Sequence, residues 1–287
     1  MLAASLAGLF AVVSGPGYTS TASAAGGTTA TSDTFPVAPP ARICGDASVL
    51  SGPGTAPPGA VVVPAGDNID FFVNEGYKGA SAKGTVYYFA TGTHTFGTNP
   101  YGQIVPADST TYIGAPGAIL DGQDVHYYAF TGKADGVTIK YLTIQHFVPY
   151  QDQAAVNHDL GPNWIVTNTT MRDIATIALN MGPNSVVRDS CLTKNGQTGI
   201  NGTPGVRTVV IDHNEIGNNS DNPNGPDPFC GCHSGVKMFG VEDARITNNW
   251  VHDNAFRAIW GDTNAVGFQV EGNYINDNSY EAIVVET

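Results

Sequence analysis

The sequence predicts an all-β fold, a parallel β-solenoid, from three observations. A short pattern returns six times between residues 137 and 287, and successive copies begin 27, 21, 24, 35 and 24 residues apart. Each copy carries apolar anchors at fixed offsets and shows no helical periodicity. Gly 35 and Pro 18 are plentiful while charged residues make up 13 % of the chain, a balance that suits a turn-rich β protein. Repeats of this length are typical of solenoids, in which stacked coils stabilise one another.

Three apolar positions define each copy of the repeat. The first anchors are Ile139, Val166, Val187, Ile211, Ile246 and Val270. Five residues after each anchor come Ile144, Met171, Leu192, Ile216, Val251 and Ile275. Thirteen residues after four of the anchors come Leu179, Ile200, Ile259 and Ile283. We expect one coil to contain three short strands whose anchors point inward and stack on their equivalents in the next coil.

Asn recurs at two offsets between these anchors. Three residues after the first anchor lie Ser190, Asn214, Asn249 and Asn273, and eight residues after it lie Asn195, Asn219, Asn254 and Asn278. Asn tolerates the left-handed backbone conformation that tight turns require, and stacked amides can hydrogen-bond to one another. We therefore expect these side chains to sit in the turns and to link successive coils.

Taken in order, the chain divides into four parts. Residues 1–25 resemble a signal peptide without its basic start, with an apolar core before an Ala-x-Ala cleavage site at Ala22–Ala24. Residues 26–42 are rich in Gly, Thr, Ser and Pro and are predicted to be a disordered linker. Residues 43–108 are expected to form an N-terminal cap and first coil, and residues 109–287 the remaining coils. Because the sequence stops inside a predicted strand, we expect the C-terminal coils to be incomplete.

A resemblance follows from residues Tyr112 to Gly122 (YIGAPGAILDG) and the coils after them. This arrangement resembles the secreted right-handed parallel β-helix repeat proteins of the pectate-lyase-like superfamily, over about residues 60–287. The resemblance implies a single-domain right-handed parallel β-helix. That superfamily contains polysaccharide lyases, glycoside hydrolases, epimerases and non-catalytic surface proteins, so the resemblance does not settle the activity.

Charge restricts the class of partner. The formal net charge is −13 and the pI is about 4.6, which excludes a nucleic-acid partner because phosphates require a basic surface. The apolar run at the N-terminus is too short to span a membrane. We therefore expect a secreted, monomeric protein that acts on an extracellular polysaccharide, either as a lyase or hydrolase or as a non-catalytic carbohydrate-binding protein.

The chain has four cysteines, Cys44, Cys191, Cys230 and Cys232. Secretion would permit disulfides, and the spacing of Cys230 and Cys232 does not match common metal motifs. The sequence leaves the pairing open: Cys44 could hold the loop, or Cys230 could pair with Cys232. Cys191, next to the core anchor Leu192, is interpreted as a buried free thiol.

Candidate site residues come from the third strand of each coil, where alternate side chains face outward. The predicted substrate-binding residues are Asn157, Asn180, Asn201 and Trp260, since amides and an indole suit sugar hydroxyls and rings. The predicted catalytic residues are Lys237, Asp262, Glu286 and Arg257, which should lie on neighbouring rungs. They are also close to an insertion at residues 220–233, and insertions often mark a binding face.

Two mechanisms fit this cluster. In an elimination, Lys237 or Arg257 would remove a proton while Asp262 and Glu286 hold Ca²⁺, although a neighbouring carboxylate makes a lysine a poorer base. In a hydrolysis, Asp262 and Glu286 would be the acid and the nucleophile or base. No cofactor is assigned with certainty, Ca²⁺ being the one candidate, and no metal ligand set is assigned. His126, His146 and His252 share no ligand spacing and are interpreted as turn or surface residues.

Overall fold

The structure is a computed structural model that describes residues 21–23, 29–31, 39–69, 71–72, 83–220 and 232–286. Within these ranges the chain forms parallel sheets stacked coil upon coil, so the predicted all-β solenoid is confirmed. Most of the predicted signal peptide and linker, and residues 221–231 of the predicted insertion, lie outside the described residues. Within the predicted signal peptide and linker, the described residues include a small antiparallel pair, β1 (Thr21–Ser23) and β2 (Thr29–Thr31).

Three parallel sheets make up the solenoid. The first sheet contains β3 Val61–Val63, β5 Val86–Phe89, β7 Thr111–Gly114, β9 Thr138–Lys140, β12 Ile165–Thr167, β15 Val186–Arg188, β18 Arg207–Asp212, β21 Glu242–Thr247 and β24 Gln269–Glu271. The second sheet contains β4 Gly66–Asp67, β6 Gly92–Thr95, β8 Ala118–Asp121, β10 Thr143–Gln145, β13 Thr170–Arg172, β16 Cys191–Thr193, β19 Glu215–Gly217, β22 Trp250–His252 and β25 Tyr274–Asn276. The third sheet contains β11 Ala154–Val156, β14 Ile177–Asn180, β17 Thr198–Gly202, β20 Ser234–Phe239, β23 Arg257–Asp262 and β26 Ile283–Val285.

The predicted anchors pair in register from coil to coil. In the first sheet Ile211 pairs with Val187 on one side and with Ile246 on the other. The other two anchor columns stack in the same way, the second through the second sheet and the third through the third sheet. Most anchors are fully buried, so the apolar core runs as a column along the solenoid axis and no coil buries its apolar face alone.

Two turns in each coil contain a left-handed residue. Between the first and second sheets it is Tyr141, Asn168, Asp189, His213, Asn248 or Gly272, and after the second sheet it is His146, Asp173, Lys194, Asn218, Asp253 or Asp277. In the last four coils, each of these comes immediately before the residue predicted to sit in the turn. The predicted Asn therefore do not adopt the left-handed conformation themselves, because the residue before them makes the bend and leaves their side chains pointing inward.

The inward Asn side chains form the predicted hydrogen-bonded columns. Asn249 illustrates the pattern: its Oδ1 accepts from the backbone N–H and the side-chain amide of Asn214, both at 2.9 Å. Its own amide donates to Oδ1 of Asn273 and to the carbonyl of Ile211, again at 2.9 Å. The second column, Asn195, Asn219, Asn254 and Asn278, repeats these bonds. Each Asn thus satisfies backbone groups that the turn would otherwise leave buried and unpaired.

An irregular segment, residues 39–60, lies along the outside of the coils, and we call it the N-terminal strap. It contains the short helix α1, Ala47–Leu50, capped by Asp46. The strap is fixed at β16 by a disulfide between Cys44 and Cys191, so the interpretation of Cys191 as a free thiol was wrong. Cys232 is also disulfide-bonded. Farther along, Gly52 packs so tightly that a Cβ there would lie 1.9 Å from the carbonyl oxygen of Gly114.

Candidate functional site

The predicted catalytic cluster lies on the outward face of the third sheet. Lys237 in β20 is paired with Trp260 in β23, and Asp262 lies two residues beyond Trp260. Nζ of Lys237 is 3.1 Å from Oδ2 of Asp262, and each of these side chains is only 13 % exposed. The two residues therefore form a largely desolvated ion pair, which is more costly to break than an exposed one.

Trp260 is the centre of this cluster. Nζ of Lys237 lies 4.2 Å from the centroid of its ring and Cζ of Arg257 lies 4.3 Å from it, so two cations contact one indole. Arg257 is in turn paired with Glu281 at 3.1 Å. Trp260 is 8 % exposed, and its Nε1 is buried without a hydrogen-bond partner. An unsatisfied buried donor costs about 1–3 kcal/mol, so this N–H is a site where an acceptor from a ligand would be stabilising.

Glu286 belongs to the neighbouring coil. Gly261 pairs with Val285 in β26, which places Asp262 and Glu286 opposite one another at the ends of adjacent strands. The backbone N–H of Glu286 donates to the carbonyl of Gly261 at 2.7 Å. Adjacent strands are about 4.8 Å apart, so the two carboxylates come from positions one rung apart, as expected from the sequence.

The three predicted amide ligands are placed differently. Asn180 and Asn201 are paired across β14 and β17, and the amide of Asn201 donates to Oδ1 of Asn180 at 2.8 Å. Both are nearly buried, yet they continue the row of outward positions that leads to Lys237. Asn157 does not continue it: its backbone is left-handed and its side chain is bonded at both ends to Gly161. Its amide therefore closes a turn rather than lining the outward face.

Ca²⁺ fits this cluster poorly. Asp262 and Glu286 would supply two carboxylates, whereas Ca²⁺ takes six to eight oxygen ligands. The ammonium of Lys237 already lies beside one of them and would repel the ion. Across the described parts of the chain, no group of three His, Cys, Asp or Glu residues is arranged to hold a metal. Ca²⁺ binding by Asp262 and Glu286 stays a prediction, and no reaction step is derived through it.

A second buried charge cluster, not predicted from the sequence, fixes the strap. Glu215, 1 % exposed, accepts hydrogen bonds from the backbone N–H groups of Ile43 at 2.7 Å and Cys44 at 2.8 Å. Arg42 at 3.1 Å and His252 at 3.2 Å complete its surroundings. His252 is 2 % exposed and lies in β22, so its interpretation as a turn or surface residue was wrong, whereas His126 is buried but does follow a turn. His146 is more open, with its side chain paired to Asp121.

The shape of β19 makes room for this cluster. Gly217 pairs with His252, and a Cβ on Gly217 would lie 2.6 Å from the imidazole. A side chain there would displace the ring from Glu215. The signal available in the sequence was a glutamate at a position where the other copies carry Thr, Cys, Trp or Tyr, but no repeat pattern indicates which segment covers it.

Comparisons with known proteins give the following. A model of the family described as "Right handed beta helix region" matches residues 123–287. No curated protein sequence matches the chain. Pectate lyase Pel9A is 14 % identical with a TM-score of 0.46, and the match covers 73 % of this chain and 72 % of that one. The A-module of mannuronan C-5 epimerase AlgE6 from Azotobacter vinelandii is 14 % identical with a TM-score of 0.41, covering 77 % and 76 %.

XylC in complex with xylose is 17 % identical with a TM-score of 0.46 over 56 % of this chain. The chain spans 32 % of the length of XylC. At these values each likeness concerns the fold and assigns no activity. In the part of the chain that the structure describes, no helix is long and apolar enough to cross a membrane.

Proposed function

The chain belongs to the right-handed beta helix family, and on that premise we propose that it is a secreted protein that binds an extracellular polysaccharide on the outward face of the third sheet and hydrolyses it. The disulfide between Cys44 and Cys191 supports an oxidising compartment. The acidic surface supports a partner other than nucleic acid.

The observation that carries this proposal is the buried, unpaired N–H of Trp260 beneath Lys237 and Arg257. An indole N–H is a hydrogen-bond donor, and sugar hydroxyls and ring oxygens are acceptors. A ligand that accepts this N–H would remove an energetic cost of the free protein. The geometry therefore favours a sugar ring placed over this part of the third sheet.

Hydrolysis suits the charges better than elimination. Nζ of Lys237 is already engaged by Oδ2 of Asp262 at 3.1 Å, so it is not placed to take a proton from a sugar. In hydrolysis Asp262 acts as the nucleophile, and Glu286 donates the proton to the departing sugar oxygen. A separation of one rung, about 4.8 Å, is close to the roughly 5–5.5 Å between carboxyl groups in retaining glycosidases.

One observation favours a second candidate, binding without cleavage. Besides Lys237, the carboxylate of Asp262 also accepts a hydrogen bond from the hydroxyl of Thr263 at 2.9 Å. A nucleophile whose oxygens are both engaged must release a partner before it attacks. In this alternative the cluster positions Trp260 for sugar binding and performs no chemistry.

A panel of polysaccharides, incubated with the mature protein with and without Ca²⁺, tests these readings. New reducing ends without unsaturated sugars support hydrolysis, and unsaturated ends support elimination instead. Asp262→Asn and Glu286→Gln should then each abolish cleavage, while Glu271→Gln, an exposed carboxylate on the first sheet, should leave it unchanged. If the wild-type protein binds a polysaccharide without releasing any product, and Asp262→Asn binds it equally well, the protein is a carbohydrate-binding protein and not a hydrolase.

A further inference from the structure

A group of three tyrosines lies far from this cluster, on the turns that lead from the second sheet to the third. The rings of Tyr101 and Tyr127 are 5.1 Å apart and those of Tyr127 and Tyr150 are 4.5 Å apart. Tyr101 is 54 % exposed and Tyr150 is 50 % exposed. Their rings adjoin one another, and a contiguous exposed apolar patch marks a binding site more often than single exposed residues do.

The three rings pack as one unit, with Tyr127 between Tyr101 and Tyr150. Tyr150 is hydrogen-bonded through its side chain to Tyr127 and to Tyr101, and these bonds raise the pKa of Tyr150. The phenol of Tyr150 therefore stays neutral at physiological pH. We call Tyr101, Tyr127 and Tyr150 the tyrosine platform. Its rings are fixed in part before any ligand arrives, which lowers the entropy that a ligand must overcome.

A groove begins where the platform ends. Backbone hydrogen bonds show that one turn position recurs in every coil, since Tyr127 N–H reaches the carbonyl of Pro100 and Val148 N–H reaches that of His126. Continued along the solenoid, this position is occupied by Tyr101, Tyr127, Val148, Ala175, Gly196 and Ser220. The side chains shrink from tyrosine to glycine over these coils. The loss of volume leaves a groove of about 500 Å³ beside Ala175 and Gly196.

The polar lining of the groove points to an uncharged ligand. Its side chains include Asp124, Asp173, Lys194 and Asn218. Two carboxylates outnumber one ammonium, and the whole chain carries a net charge of −13, so polyanions are repelled. Carboxylates, an amide and an ammonium together can accept from and donate to hydroxyl groups.

We propose that the tyrosine platform and this groove form a second binding surface, specific for a neutral polysaccharide chain. Pyranose rings stack on the tyrosines, and hydroxyl groups of the following sugars bond to Asp173, Lys194 and Asn218. The coils are about 4.8 Å apart, so the surface offers a new contact at each step along an extended glycan. This surface lies outside the outward face of the third sheet and does not depend on cleavage there.

Calorimetric titration tests the proposal with neutral cello-, xylo- and manno-hexasaccharides, and with an oligogalacturonate of the same length as the charged probe. At least one neutral hexasaccharide should bind, and the oligogalacturonate should bind much more weakly. Tyr150→Ala should lower the affinity for the neutral glycan about tenfold, because a stacking contact is lost. Tyr150→Phe should retain most of the affinity. Tyr280→Ala is the matched control, because Tyr280 is 58 % exposed on a turn at the other end of the solenoid.

The outcomes separate cleanly. Unchanged affinity in Tyr150→Ala, with a normal melting temperature, would overturn the proposal, and so would tighter platform-dependent binding of the oligogalacturonate. Failure of all neutral hexasaccharides to bind the wild-type protein would also overturn it. Loss of cleavage in Asp262→Asn with platform binding intact would support two separate surfaces.

Discussion

Glu215 and His252 form a buried ion pair, with Oε1 of the glutamate 3.2 Å from Nε2 of the histidine. Nδ1 of the same imidazole is 2.7 Å from Asp253, so both ring nitrogens face carboxylates. Burial alone would lower the pKa of His252, but hydrogen bonds and charge from Glu215 and Asp253 raise it. Burial likewise opposes ionisation of Glu215, yet His252, two backbone N–H groups and Arg42 lower its pKa.

Docking of the strap should therefore depend on pH. The raised pKa of His252 gives stabilisation that is complete below its ordinary value of 6.5 and is lost as the pH rises through the folded value. The lowered pKa of Glu215 gives stabilisation that is present above 4.5 and is lost as the pH falls through the folded value. We expect the protection of the amides of residues 42–44, measured as hydrogen exchange relative to the intrinsic rate at each pH, to be greatest between about pH 4.5 and 6.5.

The variant His252→Gln provides the control for this pH dependence. In this variant the hydrogen exchange of the strap should no longer accelerate above neutral pH through loss of the ion pair, while its acceleration at acidic pH should remain. If the wild-type strap exchanges at a rate that follows only the intrinsic chemistry across pH 5–8, the ion pair does not control docking.

Loss of the disulfide should destabilise the whole solenoid. Cys44 and Cys191 are separated by 147 residues, so their bond restricts a long loop of the unfolded chain. Cys44→Ser combined with Cys191→Ser should lower the free energy of unfolding by roughly 2–5 kcal/mol. Urea denaturation with and without reductant measures this. Reduction should lower the stability of the wild type, whereas the double variant has no Cys44–Cys191 bond to lose. A wild type whose stability does not change on reduction would contradict the prediction.

The Asn columns should contribute far more than exposed polar residues. Asn249→Ala removes the acceptor for two donors of Asn214 and leaves the carbonyl of Ile211 without its amide partner. We expect a loss of about 2–4 kcal/mol, because several buried polar groups become unsatisfied together. Gln269→Ala, at an exposed position of β24, should change stability by less than about 0.5 kcal/mol. Equal effects in the two variants would show that the columns are not a source of stability.

Two tryptophans allow the role of an unpaired N–H to be measured. Trp260→Phe keeps an aromatic ring and deletes a donor that has no partner, so we expect stability to change by less than about 1 kcal/mol while polysaccharide affinity falls. In Trp164, Nε1 donates to the carbonyl of Ala134 at 2.8 Å. Trp164→Phe should therefore cost about 1–3 kcal/mol and leave affinity unchanged. Undiminished affinity in Trp260→Phe would remove this N–H from the proposed site.

The regular part of the fold was accessible from the sequence because stacking makes it repeat. Ile211, Ile246 and Val270 face the same core environment in successive coils, so the same kind of residue recurs at the same offset. The pairing of Lys237 with Trp260 follows from that register alone. The role of Asn in the turns was only partly anticipated, because a pattern of residue types does not say which of two adjacent positions bends.

The strap was not accessible in this way. Its contacts with Cys191 and Glu215 join residues more than a hundred positions apart, and no repeat relates one partner to the other. The same limit applied to His252, whose burial depends on a glycine in the preceding coil and on the strap above it. In an irregular segment each side chain is positioned by its own contacts, so no repeating sequence pattern reveals where it lies.

In an untied stack of coils, melting can start at an end and advance one layer at a time. Here the strap crosses many layers of the solenoid. It contacts Glu215 in β19, Cys191 in β16, Asn168 beyond β12 and Tyr88 in β5. The layers beneath the strap must therefore open together, and they include the coil of β22, where the guanidinium of Arg42 lies over the ring of Trp250. The protein is therefore a cooperative block across these layers, and the last layer that the strap contacts is the coil that carries Trp260 and Asp262.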